Sequence, residues 1–124
     1  MNDEGQFIPP MPEGRFWALV ALSDGDADKM QSILLWFPKE DSITFGRRLD
    51  EVLERLDRED INDVTDGSDD GFLYARLWIV SHGREYYEAA LANPATAQDA
   101  EDADNEQFYY SAMRAYKALG GEVI

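Results

Sequence analysis

Residues 72–80 read FLYARLWIV, and whether this stretch is a strand or a helix decides the fold class. Its aromatic and branched residues suit a strand. Its flanks suit a helix, because Ser68, Asp69 and Asp70 can cap the start and Gly83 can close the end. A helix here is buried on nearly every side, with Arg76 as its only charge.

The neighbouring segments tip the balance. Phe45, Leu49, Val52, Leu53 and Leu56 follow a 3.6-residue period, with Arg47, Arg48, Asp50, Glu51, Glu54 and Arg55 on the other faces. Glu51 with Arg55, and Glu54 with Arg58, stand four apart in the favourable order, and Asp41 or Ser42 is the expected N-cap. Met30, Ile33, Leu34 and Phe37 form another helical face, ended by Pro38. Arg15–Ser23 (RFWALVALS) is a buried helix or a strand, closed by the Asp24-Gly25-Asp26 turn. A short helix is expected over 84–91, stopped by Asn93-Pro94. In the last helix Tyr109, Ala112, Met113 and Tyr116 share a face, and Gly120-Gly121 ends it. Residues 57–71 read as an acidic loop, and 95–106 as a polar loop or frayed helix start. Residues 1–14, with Pro9, Pro10 and Pro12, read as a flexible tail that Phe7 and Ile8 could anchor. The expectation is an all-α fold: one compact domain over 15–124, of about five or six helices.

Composition bounds the function. The 124 residues carry 26 Asp plus Glu against 11 Lys plus Arg, a net charge of -15, with 44% apolar residues and no Cys. Disulfides, thiol nucleophiles and Cys-bearing zinc sites are excluded. The single His82 excludes any site needing two imidazoles from one chain. No apolar run approaches the roughly 18 to 20 residues of a membrane span. The acidic, Pro-rich start lacks the basic and apolar stretches of a secretory signal, so a cytoplasmic protein is expected. Direct binding to nucleic-acid phosphates is opposed by charge, whereas a basic protein partner would be attracted.

The stretch SDDGFLYARLWIVSHGREYYEAALANP, residues 68–94, resembles the bacterial domain family of unknown function numbered forty-two forty. The matching positions are Ser68, Asp69, Asp70, Gly71, Phe72, Tyr74, Arg76, Trp78, Ile79, Gly83, Ala90, Leu91 and Pro94. Phe16-Trp17 and the Phe45–Leu53 helix extend the likeness over about residues 15–94. Two departures stand out. Residues 57–66 lack the family's Trp-rich segment, and Ala75 stands where the family more often has Phe. The resemblance implies a compact, α-rich bacterial domain and supplies no established reaction.

Each candidate site has a plainer reading. Asp66, Ser68, Asp70 and Gly71 fit positions 1, 3, 5 and 6 of a calcium loop, but Leu77 occupies position 12, where a bidentate Glu belongs. Helix capping accounts for the same residues, and no metal or cofactor is expected. Arg76 in an apolar helix needs a partner; a structural tie to Asp69, Asp70 or another loop carboxylate is preferred to an anion receptor. His82 reads as a helix-end cap or a simply exposed side chain rather than a general base. Adjacent Asp69 and Asp70 do not face one bond as glycosidase carboxylates do. Tyr86, Tyr87, Tyr109, Tyr110 and Tyr116 read as half-buried packing with hydroxyls in water.

No catalytic constellation emerges. The preferred function is a non-enzymatic interaction domain that binds a basic protein, with an immunity or antitoxin role as its concrete version. Asp63, Asp66, Asp99, Asp102 and Asp104 are the expected contacts. The first alternative is a small-molecule-binding or enzymatic domain built on Ser68, Asp69, Asp70, Arg76 and Trp78. The second is a structural or regulatory module.

Overall fold

Residues 72–80 lie inside a helix, and every other regular element among the described residues is helical too. The computed structural model describes residues 8–65, 69–100 and 105–121, without the side chains of residues 69 and 70. In order the elements are α1 (Glu13–Ser23), α2 (Ala27–Leu34), α3 (Lys39–Arg55), α4 (Glu59–Thr65), α5 (Asp69–Ser81), α6 (Arg84–Ala92), a 3-10 helix (Pro94–Ala100) and α7 (Glu106–Ala118). None of them is long and apolar enough to cross a membrane.

The number of helices exceeds the five or six expected. The additions are α4, inside the stretch read as an acidic loop, and the 3-10 helix, inside the stretch read as polar loop. Both are too short to hold alone in water. They pack against each other, with Ile61 and Thr65 buried from one and Ala97 and Ala100 from the other. Polar composition concealed them, because two or three small anchors suffice when a neighbour supplies the rest of the surface.

Helix α5 is the shared wall of the core. Phe72, Ala75, Leu77, Ile79 and Val80 are all buried, and α3, α4, α6, α7 and the 3-10 helix pack around them. Around it, Phe16 of α1 meets Phe45 of α3 at 5.0 Å, and Trp17 meets Tyr87 of α6 at 4.9 Å. The Tyr87 hydroxyl donates to the Val52 carbonyl at 2.9 Å, and that of Tyr86 to the Thr96 carbonyl at 2.7 Å. Neither hydroxyl is left to water as expected; a buried phenol needs an acceptor, and the facing helices offer backbone oxygens.

Two periodic stripes run along α7, and the inward one differs from expectation. Phe108, Ser111, Ala112 and Ala115 are buried, while Tyr109 and Met113 are exposed. Both stripes have the spacing of a helical face. The one with small residues faces inward because Ser and Ala let α2 and α3 approach closely. Tyr109, Met113 and Tyr116 instead line an apolar concavity of about 340 Å³ against α3.

Arginine partners also differ from those read from spacing. Asp41, Arg48 and Arg55 stand seven apart and form one stripe of α3. Arg48 donates from Nε and Nη2 to the Met11 carbonyl at 2.9 and 2.7 Å, and from Nη1 to Glu51 at 2.6 Å. Arg55 donates to Glu13 at 2.6 Å, and Arg15 to Asp41 at 2.7 Å. Arg58 grips Asp60 with Nε and Nη2 and donates to the Leu91 carbonyl from Nη1. Arg55 and Arg58 therefore take partners on α1, α4 and α6 rather than Glu51 and Glu54. Helix α3 begins at Lys39 with Pro38 at its cap, so Asp41 is free for Arg15. Met11 is buried, and ordered packing starts upstream of Arg15.

The α1–α2 turn is built by backbone geometry. Asp24 and Gly25 both have positive φ, 54° and 73°. A Cβ on Gly25 would lie 2.7 Å from the Ser81 carbonyl oxygen, closer than real contacts permit. The turn is thereby pressed onto the end of α5, and Asp26 caps α2 by accepting from the Lys29 amide at 2.9 Å.

Two measurements follow from these contacts. Gly25→Ala combines a strained φ with a backbone clash and should lower the unfolding free energy by about 1–3 kcal/mol in urea titration. Glu13 is held below the ordinary carboxylate range by its bond to Arg55, against the opposing effect of burial. The unfolded chain therefore binds the extra proton first, and this stabilisation is present above the ordinary carboxylate pKa. It is lost as pH falls through the depressed value. Glu13→Gln should flatten the acid limb of the stability–pH curve while leaving its alkaline side parallel to wild type.

Candidate functional site

The α5 end, the α1–α2 turn and the start of α7 meet around a polar pocket of about 370 Å³. Asp24, Gly25, Trp78, Ser81, His82 and Asn105 line it. Its parts come from three distant stretches of chain. The Asn105 side-chain amide donates to the Gly25 carbonyl at 2.9 Å, which locks the start of α7 to the turn. Gly25 in turn rests against Ser81.

Along α5, Trp78 and His82 are one helical turn apart, so they share a face. Their rings lie 3.8 Å apart at 37°. His82 Nδ1 is 2.7 Å from the Trp78 carbonyl. A carbonyl only accepts, so Nδ1 carries the proton and Nε2 is the free position of the neutral ring. The imidazole therefore closes the C-terminal end of α5, as the sequence indicated. Ser81 Oγ donates to the same carbonyl at 2.8 Å. Behind this pair, Tyr86 of α6 sets its ring edge-on to Trp78 at 5.6 Å. Burial raises the Tyr86 phenol above its ordinary pKa, and the nearby Asp99 carboxylate adds to the effect.

The residues singled out from the sequence are dispersed. Trp78 lines the pocket. Arg76, two residues away, points off that face. Its guanidinium lies 4.6 Å over the Phe72 ring and donates from Nη1 to the Leu53 carbonyl at 3.2 Å, while Nε is buried without a partner. Burial pulls the Arg76 guanidinium below the ordinary arginine value, and the Asp57 carboxylate partly restores it. Among the described residues the tie is thus to a ring and a carbonyl, with Asp57 as the charged neighbour. Asp63 and Asp99 are exposed, on the two short helices that pack together. Asp66, Ser68, Asp102 and Asp104 lie outside the described residues, as do the side chains of Asp69 and Asp70. Among the described residues no three His, Asp or Glu side chains gather to hold a metal ion.

Sequence reasoning missed Asp24, Ser81 and Asn105 as pocket residues. Asp24 was legible only as part of a turn and Asn105 only as part of an acidic loop. Nothing local in either stretch announces a bond across 80 residues.

The Arg76 geometry makes a stability prediction. Arg76→Met keeps the stem over Phe72 and removes a partly desolvated charge, so the unfolding free energy should stay within about 1 kcal/mol of wild type or rise. Arg76→Ala strips the stem as well and should cost about 1–3 kcal/mol in the same urea titration.

The family model described as "Protein of unknown function (DUF4240)" matches residues 11–118. Its match starts at the buried Met11 and runs to the last residue of α7, well beyond the 15–94 span of the resemblance. Comparison with curated proteins and with solved structures gave no match. The chain belongs to the DUF4240 family, described as being of unknown function.

Proposed function

We propose that this domain is a non-enzymatic interaction module that binds a basic protein partner, with neutralisation of that partner in an immunity or antitoxin role as its concrete form. The observation that carries the reading is where the cations go. Arg15, Arg48, Arg55, Arg58 and Arg84 each pair with a carboxylate of the same chain. Asp24, Asp28, Glu40, Glu59, Asp63 and Asp99 are exposed and make no ion pair among the described residues. Among the described residues these six carboxylates thus stand on the surface without a cationic partner, in a chain of net charge -15. Such a field steers a basic partner and accelerates its association, in a manner that salt weakens.

The non-enzymatic part is supported by His82. Its imidazole bonds to a backbone carbonyl and stacks on Trp78, rather than pairing with a hydroxyl nucleophile.

The test is capture from a lysate of the source organism at low salt, followed by release at high salt and identification of what is released. A basic protein is expected. The double reversal Asp63→Lys with Asp99→Lys should weaken its capture at least about tenfold. Both positions are exposed, so the unfolding free energy should change by no more than about 0.5 kcal/mol each. Undiminished capture by the double variant, or a partner that is not basic, would sink the reading.

A further inference from the structure

We propose that the pocket at the end of α5 receives the guanidinium of an arginine side chain presented by the basic partner. The inference rests on the basic-partner reading and says where on the domain recognition is specific.

Most hydrogen-bond donors around the pocket are already engaged. The backbone amides of Asp24, Gly25, Asp26, His82 and Gly83 are all engaged, with Ala21 O, Ser23 Oγ, Ser23 O, Trp78 and Ile79 O, and Val80 O respectively. The lining side chains repeat the pattern. Asn105 has one amide N–H on the Gly25 carbonyl, which leaves Oδ1 as an acceptor beside its second N–H. Ser81 has its hydroxyl proton on the Trp78 carbonyl, which leaves oxygen lone pairs. His82 has Nδ1–H on that carbonyl, which leaves Nε2 as an acceptor in the neutral ring. Asp24 is an exposed carboxylate in no ion pair among the described residues. The Trp78 indole N–H and the second Asn105 amide N–H remain as side-chain donors, against the Asp24 carboxylate, Asn105 Oδ1, Ser81 Oγ and His82 Nε2 as acceptors.

A site whose free groups are mostly acceptors, one of them a carboxylate, selects a ligand rich in donors. It also lies at the C-terminal end of α5, where the helix dipole favours positive charge. Its volume falls at the small end of ligand-site sizes, about 300 Å³ and upward. The flat elements are the stacked rings of Trp78 and His82, with Tyr86 packed against the indole. Arginine meets all these demands together: it is planar, permanently charged, carries five donors and stacks on indole. Lysine offers three donors and no plane, so it fits less well. An anion would meet the Asp24 carboxylate and the lone pairs of Ser81 and His82.

The experiment uses the full chain, labelled with nitrogen-15, and three blocked tripeptides, Ac-Gly-Xaa-Gly-NH2, with Xaa arginine, lysine or citrulline. Citrulline keeps the planar shape and loses the charge. Trp78 is read through its indole N–H, assigned by loss in Trp78→Phe, with buried Trp17 and exposed Trp36 as internal references. The arginine peptide should shift the signals of Trp78, Gly25, His82 and Asn105, bind more tightly than the lysine peptide, and leave citrulline without measurable effect. Asp24→Asn should weaken the arginine peptide about tenfold, by loss of a charged hydrogen-bond partner. It should leave the fold intact, because Asn tolerates the positive φ at this position.

Several outcomes would overturn the assignment. They are equal binding of citrulline, shifts confined to surfaces away from α5, no shift at all, or an Asp24→Asn variant that binds as wild type does. Binding of free arginine without binding of the blocked peptide would overturn the protein source of the guanidinium. The peptides test the pocket without the partner. Failure here, alongside salt-sensitive capture of a basic protein that depends on Asp63 and Asp99, would remove the pocket and leave the interaction reading standing. Success here without any basic partner would do the reverse.

Discussion

The burial of α5 on nearly all sides is the constraint that the rest of the molecule obeys. A thirteen-residue helix with the sequence DDGFLYARLWIVS cannot face water along any broad stripe. Five other helices must therefore surround it, and the short polar ones are recruited for that purpose. The single cation in its apolar span, Arg76, is accommodated at the edge, over the Phe72 ring and against the Leu53 carbonyl. The C-terminal end of α5 then has to be closed. His82 and Ser81 do this from the helix itself, and the Asp24-Gly25 turn does it from α1. The pocket is a by-product of how that end is closed.

A second constraint is the imbalance of charge. With 26 acidic and 11 basic side chains, each cation has a choice of partners. The arginines on the inner stripe of α3 go to the groups that hold α1 in place, at Met11 and Glu13. A guanidinium held by a carbonyl or carboxylate on another element has fewer competing water contacts than one lying along its own helix surface. What is left over among the described residues is a set of exposed carboxylates, whose mutual repulsion opposes compaction slightly. The same excess links the two functional readings: a long-range field from the surface carboxylates, and a short-range acceptor site at the end of α5.

Much of the architecture was legible in the chain. The Phe45–Leu56 period, the Asn93-Pro94 stop, the Gly120 terminus and the capping role of His82 all stand in the structure, because each depends on neighbours within a turn or two. The strand-like composition of residues 72–80 misled only in part. Burial against five neighbouring helices outweighed strand propensity, which is weak for buried segments. The inward stripe of α7 was not legible, since Phe108, Ser111, Ala112 and Ala115 repeat the spacing of Tyr109, Ala112, Met113 and Tyr116 one residue earlier. Choosing between them needs the surface of α2 and α3. Nor was α4, whose seven residues hold mainly against the 3-10 helix, with α5 beside it.

The sequence by itself determined the helical class, the excess of negative charge, the absence of thiol chemistry and membership in the family whose motif surrounds Trp78. These follow from composition and from spacing within single helices, which are local properties. Tertiary structure alone decided which carboxylate each arginine holds, which face of α7 turns inward, and that Asp24, Trp78, His82 and Asn105 border one pocket. Those outcomes depend on which elements lie side by side, and that is fixed by burying α5 and by the Gly25 turn pressed against its end.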